Sequence, residues 1–322
     1  MSLAETPHIG ARVIAATSLA VSFALALTAC GGGNDPSPAV QMPVATYDYV
    51  AFQSTDPVKP LTIPAKFSIP TSALPAGQKS YPAVVIVHGS SGVDSRGPYY
   101  AAQLNRAGIA TLEIDMWAPR GLVGGAAGRP RTVAETLPDA FGGLKMLAAD
   151  SRIDSKRIGI MGFSWGGVVS MLTATQPYAN LYAPAGLMFA AHAPNYPICW
   201  IYNAVPGNAF ASLTGAPVFI QAGELDTYDD PDTCPKLVAS LPPAAQAFVS
   251  ATVYPNTTHA WDRLEPAITV TDPFSHKGKG GMVDFVPNQA VAAQSGSATV
   301  AFFKRMFSYF PASSGTTDRT RV

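Results

Sequence analysis

The chain has 322 residues, 48% of them hydrophobic, enough to bury one large core, while only 13% are charged. Lysine plus arginine balances aspartate plus glutamate at 21 each, and no basic stripe with interleaved aromatics occurs. A neutral chain gains little from phosphate counterion release, so a nucleic-acid partner is excluded and small neutral or apolar ligands fit better.

The run VIAATSLAVSFALALTA, residues 13–29, carries no charge, follows Arg12 and precedes Cys30 and GGGNDPSP. It has the charged flank, apolar core and small-residue cleavage region of a secretory signal, and it is short for a membrane span. Leu27-Thr28-Ala29-Cys30 also resembles the lipobox of bacterial lipoproteins, whose cysteine becomes the lipid-bearing first residue of the mature chain. The resemblance implies a signal peptide over 1–29, a lipidated Cys30 and a Gly/Pro/Ser linker over 30–45. The protein would then be exported and held in a bacterial cell envelope, with a membrane contact only through this lipid anchor. A plain secretory signal, cut beside Cys30, is the alternative.

From residue 46 to 310 apolar β-rich runs alternate with helical spacing, which predicts a mostly parallel central sheet with helices on both faces, an α/β fold in one domain. An early stretch, Ala45 to Phe67, suits antiparallel edge strands. The clearest core strands are Pro82 to Val87, Ile109 to Ile114, Arg157 to Met161, Ala185 to Ala190, Pro217 to Ala222 and Ala251 to Tyr254. Helical spacing marks Tyr99 to Ala107, Thr132 to Ala149, Gly166 to Thr175 and a closing helix from Asn288 to Phe310. The tail over 311–322, ending SSGTTDRTRV, is polar and predicted to be disordered.

Gly162-Phe163-Ser164-Trp165-Gly166 fits the G-x-S-x-G nucleophile elbow, in which glycines two before and two after the serine permit a turn too tight for side chains. The strand-like RIGIM before it and the helical VVSML after it supply the required context. The alternative is an ordinary helix N-cap, a position serine favours without any chemistry. In this fold the acid and then the histidine follow the serine along the chain. Of the five histidines, only His259, in YPNTTHAW, and His276, in SHKGKGG, lie far enough downstream, and His259 sits just past the last short strand. The acid comes from GELDTYDD: Asp226 directly follows a strand end, while Asp229 and Asp230 better suit capping of the next helix. An oxyanion hole would take its N–H groups from Trp165 and from the loop His88-Gly89-Ser90-Ser91-Gly92, with Ser90 preferred, Ser91 in reserve and His88 bracing the loop.

With Cys30 lipidated, Cys199 and Cys234 remain, and two thiols in an oxidising compartment allow one bridge. Such a disulfide would stabilise by about 4 kcal/mol on the chain-entropy account. Two separately buried thiols are the alternative, and neither cysteine has a metal-ligand spacing. Trp117, Trp165 and Trp261 fall beside the loops just named, either as an aromatic wall of a substrate pocket or as packing. Arg120, in RGLVGGAAGRPR, either braces that loop or attracts a substrate carboxylate.

Between residues 80 and 310 the segments HGSSG, GIATLEIDMWAPRG, DAFGGLKMLAADSRIDSKRIGIMGFSWGG, GELD and THAW resemble the dienelactone hydrolases of the α/β-hydrolase superfamily. The resemblance implies hydrolysis of a small-molecule ester or lactone through an acyl-enzyme, no metal and no cofactor, with Ser164, Asp226 and His259 as the triad. Dienelactone hydrolase proper uses a cysteine nucleophile, so the serine points toward general carboxylesterases. A polyester hydrolase or peptidase on the same scaffold, and an inactive envelope-binding lipoprotein, are the rival readings.

Overall fold

The computed structural model describes residues 44–308. The expected signal peptide over 1–29, lipidated Cys30, the linker up to residue 43 and the tail over 311–322 lie outside them. Among the described residues no helix is long and apolar enough to cross a membrane.

Two long strands open the fold, β1 (Ala45–Gln53) and β2 (Thr62–Pro70), followed by β3 (Tyr81–Val87) and helix α1 (Arg96–Arg106). Strand β4 (Ala110–Ile114), helix α2 (Leu137–Ala149), the long β5 (Ile153–Phe163) and helices α3 (Trp165–Thr173) and α4 (Gln176–Tyr182) come next. After β6 (His192–Asn195), β7 (Val218–Gly223), helix α5 (Thr233–Ser240) and β8 (Val249–Tyr254), a hairpin β9 (Ile268–Asp272) and β10 (Gly281–Phe285) precedes the closing helix Gln289–Ser308.

One eight-stranded sheet has the order β1-β2-β4-β3-β5-β6-β7-β8. The first two strands are antiparallel to their neighbours, and every pair from β4 to β8 is parallel. The β3 run AVVIV shows why: its residues are almost wholly buried, and a strand without a polar face needs cover on both sides. Val85 and Val87 pack with Leu144 of α2 and Val168 of α3, while Val84 and Ile86 pack with Leu104 of α1 and Phe303 of the closing helix. The connection leaving β3 runs to β4 on one side and that leaving β5 runs to β6 on the other. A crevice therefore opens at their carboxyl ends, the switch point where ligands sit in open α/β sheets.

One predicted strand is displaced. Ala185 to Ala190 is a loop in which Gly186 takes φ +77°, and the strand begins only at His192. Phe189 and Ala191 are buried all the same, so the apolar run marked a core contact and not the strand itself.

Candidate active site

Ser164 sits between the end of β5 and the start of α3 with φ 52° and ψ −108°, a conformation a side-chain-bearing residue rarely holds. The glycines around it make this possible. A Cβ on Gly162 would lie 2.2 Å from the Gly166 carbonyl oxygen, and one on Gly166 would lie 2.1 Å from that of Val87. Backbone bonds clamp the turn, from Ser164 N–H to the Asn195 carbonyl at 3.0 Å and from Val168 N–H to the Ser164 carbonyl at 2.9 Å.

Asp226 follows β7 in the turn Gly223 to Asp226, and His259 follows β8. The two segments are stitched together by the bond from Leu225 N–H to the Thr257 carbonyl at 2.8 Å. His259 Nδ1 lies 2.6 Å from Asp226 Oδ2, and Asp226 Oδ1 accepts the Tyr228 N–H at 3.0 Å. The imidazole is buried and faces the rings of Tyr228 at 4.5 Å, Tyr196 at 4.6 Å and Phe285 at 5.2 Å, which fix its plane. Its Nε2 has no hydrogen-bond partner among the described residues. A buried imidazole nitrogen left open while the other is held by a carboxylate is arranged to accept a proton from something that enters. His276, by contrast, lies exposed in the β9–β10 connection, its Nε2 3.2 Å from the Met282 carbonyl oxygen.

Ser164 and His259 line one cavity of ≈ 90 Å³, together with Ser90, Ser91, Arg96 and Tyr228. Trp165 is the first residue of α3, so its N–H has no partner within the helix and points out of the helix N-terminus. The Ser90 loop is held by its other atoms: its carbonyl accepts from Gly125 N–H at 2.7 Å and from Trp117 Nε1 at 3.0 Å, and its hydroxyl accepts from Arg129 at 3.0 Å. His88 braces that loop from beneath, with Nδ1 on the Gly89 carbonyl at 2.8 Å and Nε2 accepting the Met116 N–H at 2.9 Å. Burial pushes the His88 pKa down to about 4, which keeps Nε2 free to accept.

For three residues the structure decides between the two readings, in favour of packing or bracing. Trp261 is fully buried, donates Nε1 to Ser295 and packs on Tyr196 and Tyr254 in the core. Trp117 is buried between His88 and Trp165 and supports the loop. The Arg120 guanidinium is spent on Asp139 at 2.6 and 3.2 Å and on the Met116 and Glu135 carbonyls, so it braces its loop and has no donor turned to a substrate. In each case sequence proximity to a loop did not give the direction of the side chain. Asp229 also differs: it caps the turn Cys199–Ile201 through the N–H groups of Cys199 and Trp200 rather than α5, and burial raises its pKa to about 7.

Cys199 and Cys234 are joined by a disulfide. Together with Asp229 they form the cluster of His, Cys or acidic groups within 4.8 Å that could be considered for a metal. A disulfide has no thiolate to offer, so the group lacks the ligands a metal would need.

Beneath the site lies a buried polar network that the sequence did not reveal. Asp262 accepts from Tyr196 at 2.5 Å, Tyr100 at 2.9 Å and Asn195 at 3.1 Å, and Arg96 donates to the Tyr196 oxygen at 3.2 Å. Burial raises the Asp262 pKa, and Arg96 with the three donors offsets this only in part. Asn195 also holds the Ser164 N–H, and Asp262 is three residues past His259, so one network ties the elbow to the histidine loop.

Residues 70–307 match the family described as the dienelactone hydrolase family. A Methylorubrum extorquens protein provisionally named a carboxymethylenebutenolidase is 26% identical over 234 residues, which cover 69% of this chain and 70% of that protein. A Klebsiella pneumoniae structure described as a dienelactone hydrolase superposes with TM-score 0.53 at 18% identity, covering 80% of this chain and 99% of that one. Thermogutta terrifontis esterase 2, solved phosphorylated by paraoxon, gives TM-score 0.55 at 15% identity over 84% of this chain and 96% of its own. With the mostly parallel sheet and the match across most of the described residues, the chain belongs to the dienelactone hydrolase family of α/β-hydrolases and is a hydrolase acting on esters.

Proposed function

We propose that the protein is a serine carboxylesterase that forms an acyl-enzyme on Ser164. The observation that carries this reading is the juxtaposition in one cavity of a serine on a strained turn and a histidine bonded to a carboxylate at 2.6 Å with its other nitrogen open. In this reading His259 Nε2 takes the Ser164 proton as Oγ attacks the ester carbonyl carbon. Asp226 holds Nδ1–H, and with it the tautomer, and stabilises the imidazolium without taking the proton. The N–H groups of Trp165 and Ser90 receive the oxyanion of the tetrahedral intermediate. Collapse breaks the bond to the leaving oxygen, which takes the proton back from Nε2, and water repeats the sequence to release the acid.

A fluorophosphonate probe tests it. Stoichiometric labelling at Ser164, lost in Ser164→Ala along with turnover of p-nitrophenyl acetate, is the expected result. An unlabelled wild type would overturn the reading. The paraoxon adduct of the Thermogutta esterase makes an organophosphate a reasonable reagent class. We also propose that the mature protein is exported and lipid-anchored through Cys30, supported by the lipobox-like Leu27-Thr28-Ala29-Cys30 and consistent with the disulfide. Incorporation of labelled fatty acid into the wild type and not into Cys30→Ala is the test.

A further inference from the structure

A second cavity, of ≈ 190 Å³, adjoins the first and is apolar: Val133, Ala134, Trp165, Val168, Ile201 and Phe274 are among its walls. Ser90 lines both. Between them stands a buried ion pair. Arg129, on the wall of the larger cavity, donates to Asp272, on the wall of the smaller, at 2.7 and 3.0 Å, and also to the Ser90 hydroxyl at 3.0 Å. The guanidinium lies 5.7 Å from the Trp165 ring and 5.3 Å from the Phe274 ring, which hold it in place from two sides.

The chemistry of an ester on Ser164 gives these two spaces different tenants. The carbonyl oxygen must face the Trp165 and Ser90 N–H groups. The leaving oxygen must face His259, which returns its proton. The remaining substituent, the acyl chain, is left the direction away from His259. The smaller cavity contains His259; the larger contains Trp165 and Ser90 but not His259.

We propose that the larger cavity is the acyl subsite, that it takes an uncharged apolar acyl group, and that the Arg129–Asp272 pair is the partition that turns anionic acyl groups away. The proposal rests on the serine-esterase reading. An acyl carboxylate would have to shed its water to enter an apolar space, and the guanidinium it would meet is already neutralised by two bonds to Asp272. The other cation on the wall, Arg131, is exposed, where solvent screens it.

The test is an acyl series of p-nitrophenyl esters from acetate to octanoate, with the monoanionic glutarate ester set against the neutral valerate. In the wild type kcat/KM should rise about fourfold per added methylene until the cavity is full. The anionic ester should be worse than the neutral one by roughly tenfold or more. Ala134→Trp, which fills the cavity, should abolish the rise, so that octanoate is turned over no faster than acetate. Phe274→Ala, at a site already 40% exposed and so tolerant of truncation, should move the optimum to longer chains. Asp272→Asn, which frees the guanidinium, should cut the preference for the neutral ester by about tenfold.

A flat acyl profile in the wild type, or the same profile in Ala134→Trp and Phe274→Ala, overturns the subsite. Should the wild type neither take the fluorophosphonate nor hydrolyse any ester of the series, the serine-esterase reading falls and the subsite with it. Labelling and acetate turnover with a flat profile sink the subsite alone.

Discussion

Beneath Ser164 the polar groups saturate one another, whereas above it the cavity is walled by two segments tied to the rest through a few contacts. The floor joins Asn195, Gln221, Tyr254 and Asp262 in a buried chain, Gln221 bonding to the Asn195 amide at 2.8 Å and to Tyr254 at 2.6 Å. The overhang, residues 121–131 and the β9–β10 hairpin, is joined to itself by Arg129–Asp272 and tied to the rest by bonds such as Gly125 and Arg129 to Ser90 and His276 N–H to the Thr227 carbonyl, and it leaves Val123, Ile268 and Met282 exposed. A saturated floor cannot shift without leaving a buried donor or acceptor unpaired, which costs about 1–3 kcal/mol each. Outside the buried Arg129–Asp272 pair, the exposed positions of the overhang can change side chain at far smaller cost. The floor therefore suits the fixed geometry of the reaction and the overhang suits the choice of substrate.

The strongest attempt to break that division is at the floor. Ser164→Ala should lower kcat on the order of 10⁶ with the fold intact by circular dichroism; a loss of less than about tenfold would remove the reason for a rigid floor. Asp226→Asn should cost about 10⁴ in kcat with little change in KM, since it leaves the histidine in the wrong tautomer. If KM moved instead, Asp226 would belong to binding.

Below these comes stability. The disulfide ties the turn at Cys199–Ile201, whose Ile201 walls the apolar cavity, to α5. The double variant Cys199→Ala, Cys234→Ala should lose about 4 kcal/mol in urea unfolding on the chain-entropy account. A loss near zero would mean that the Ile201 wall of the apolar cavity gains nothing from its tether.

The smallest effect sharpens the comparison from beside the floor, at a buried group its network does not include. His192, fully buried on β6, sets Nδ1 on the Ser170 carbonyl at 3.0 Å and leaves Nε2 without a partner among the described residues. Burial lowers its pKa from 6.5 to about 4. The unfolded chain then binds more protons between those values, so the contribution of this residue is complete above about 6.5 and is lost as the pH falls toward about 4. Between about pH 7 and about pH 5 the wild type should lose roughly 2 kcal/mol more stability than His192→Gln. Equal losses in the two proteins would show that His192 does not titrate in that range.

The catalytic turn above the floor could be read from the chain because its constraints are local, whereas the polar network of the floor could not. Gly162 and Gly166 announce a turn no larger residue could make, and the short uncharged runs announce a parallel sheet. His259 and Asp226 could be picked out by their position after successive strand ends. The overhang could not be read. None of the expected strands covers the hairpin β9–β10, and Arg129 and Asp272, 143 residues apart in sequence, meet only in the folded chain. Trp117, Trp261 and Arg120 show the same limit from the other side, since each lies near a relevant loop yet turns its side chain into packing or bracing.

By itself, then, the sequence determined which backbone turns were forced and which strands had to be buried, because steric exclusion and hydrophobic alternation act between near neighbours. Only the tertiary structure decided which side chains face the cavity, how Asp262 links the elbow to the histidine loop, and that an ion pair stands between two cavities. Those outcomes depend on burial and on partners brought together from distant parts of the chain, where local spacing carries no information about direction.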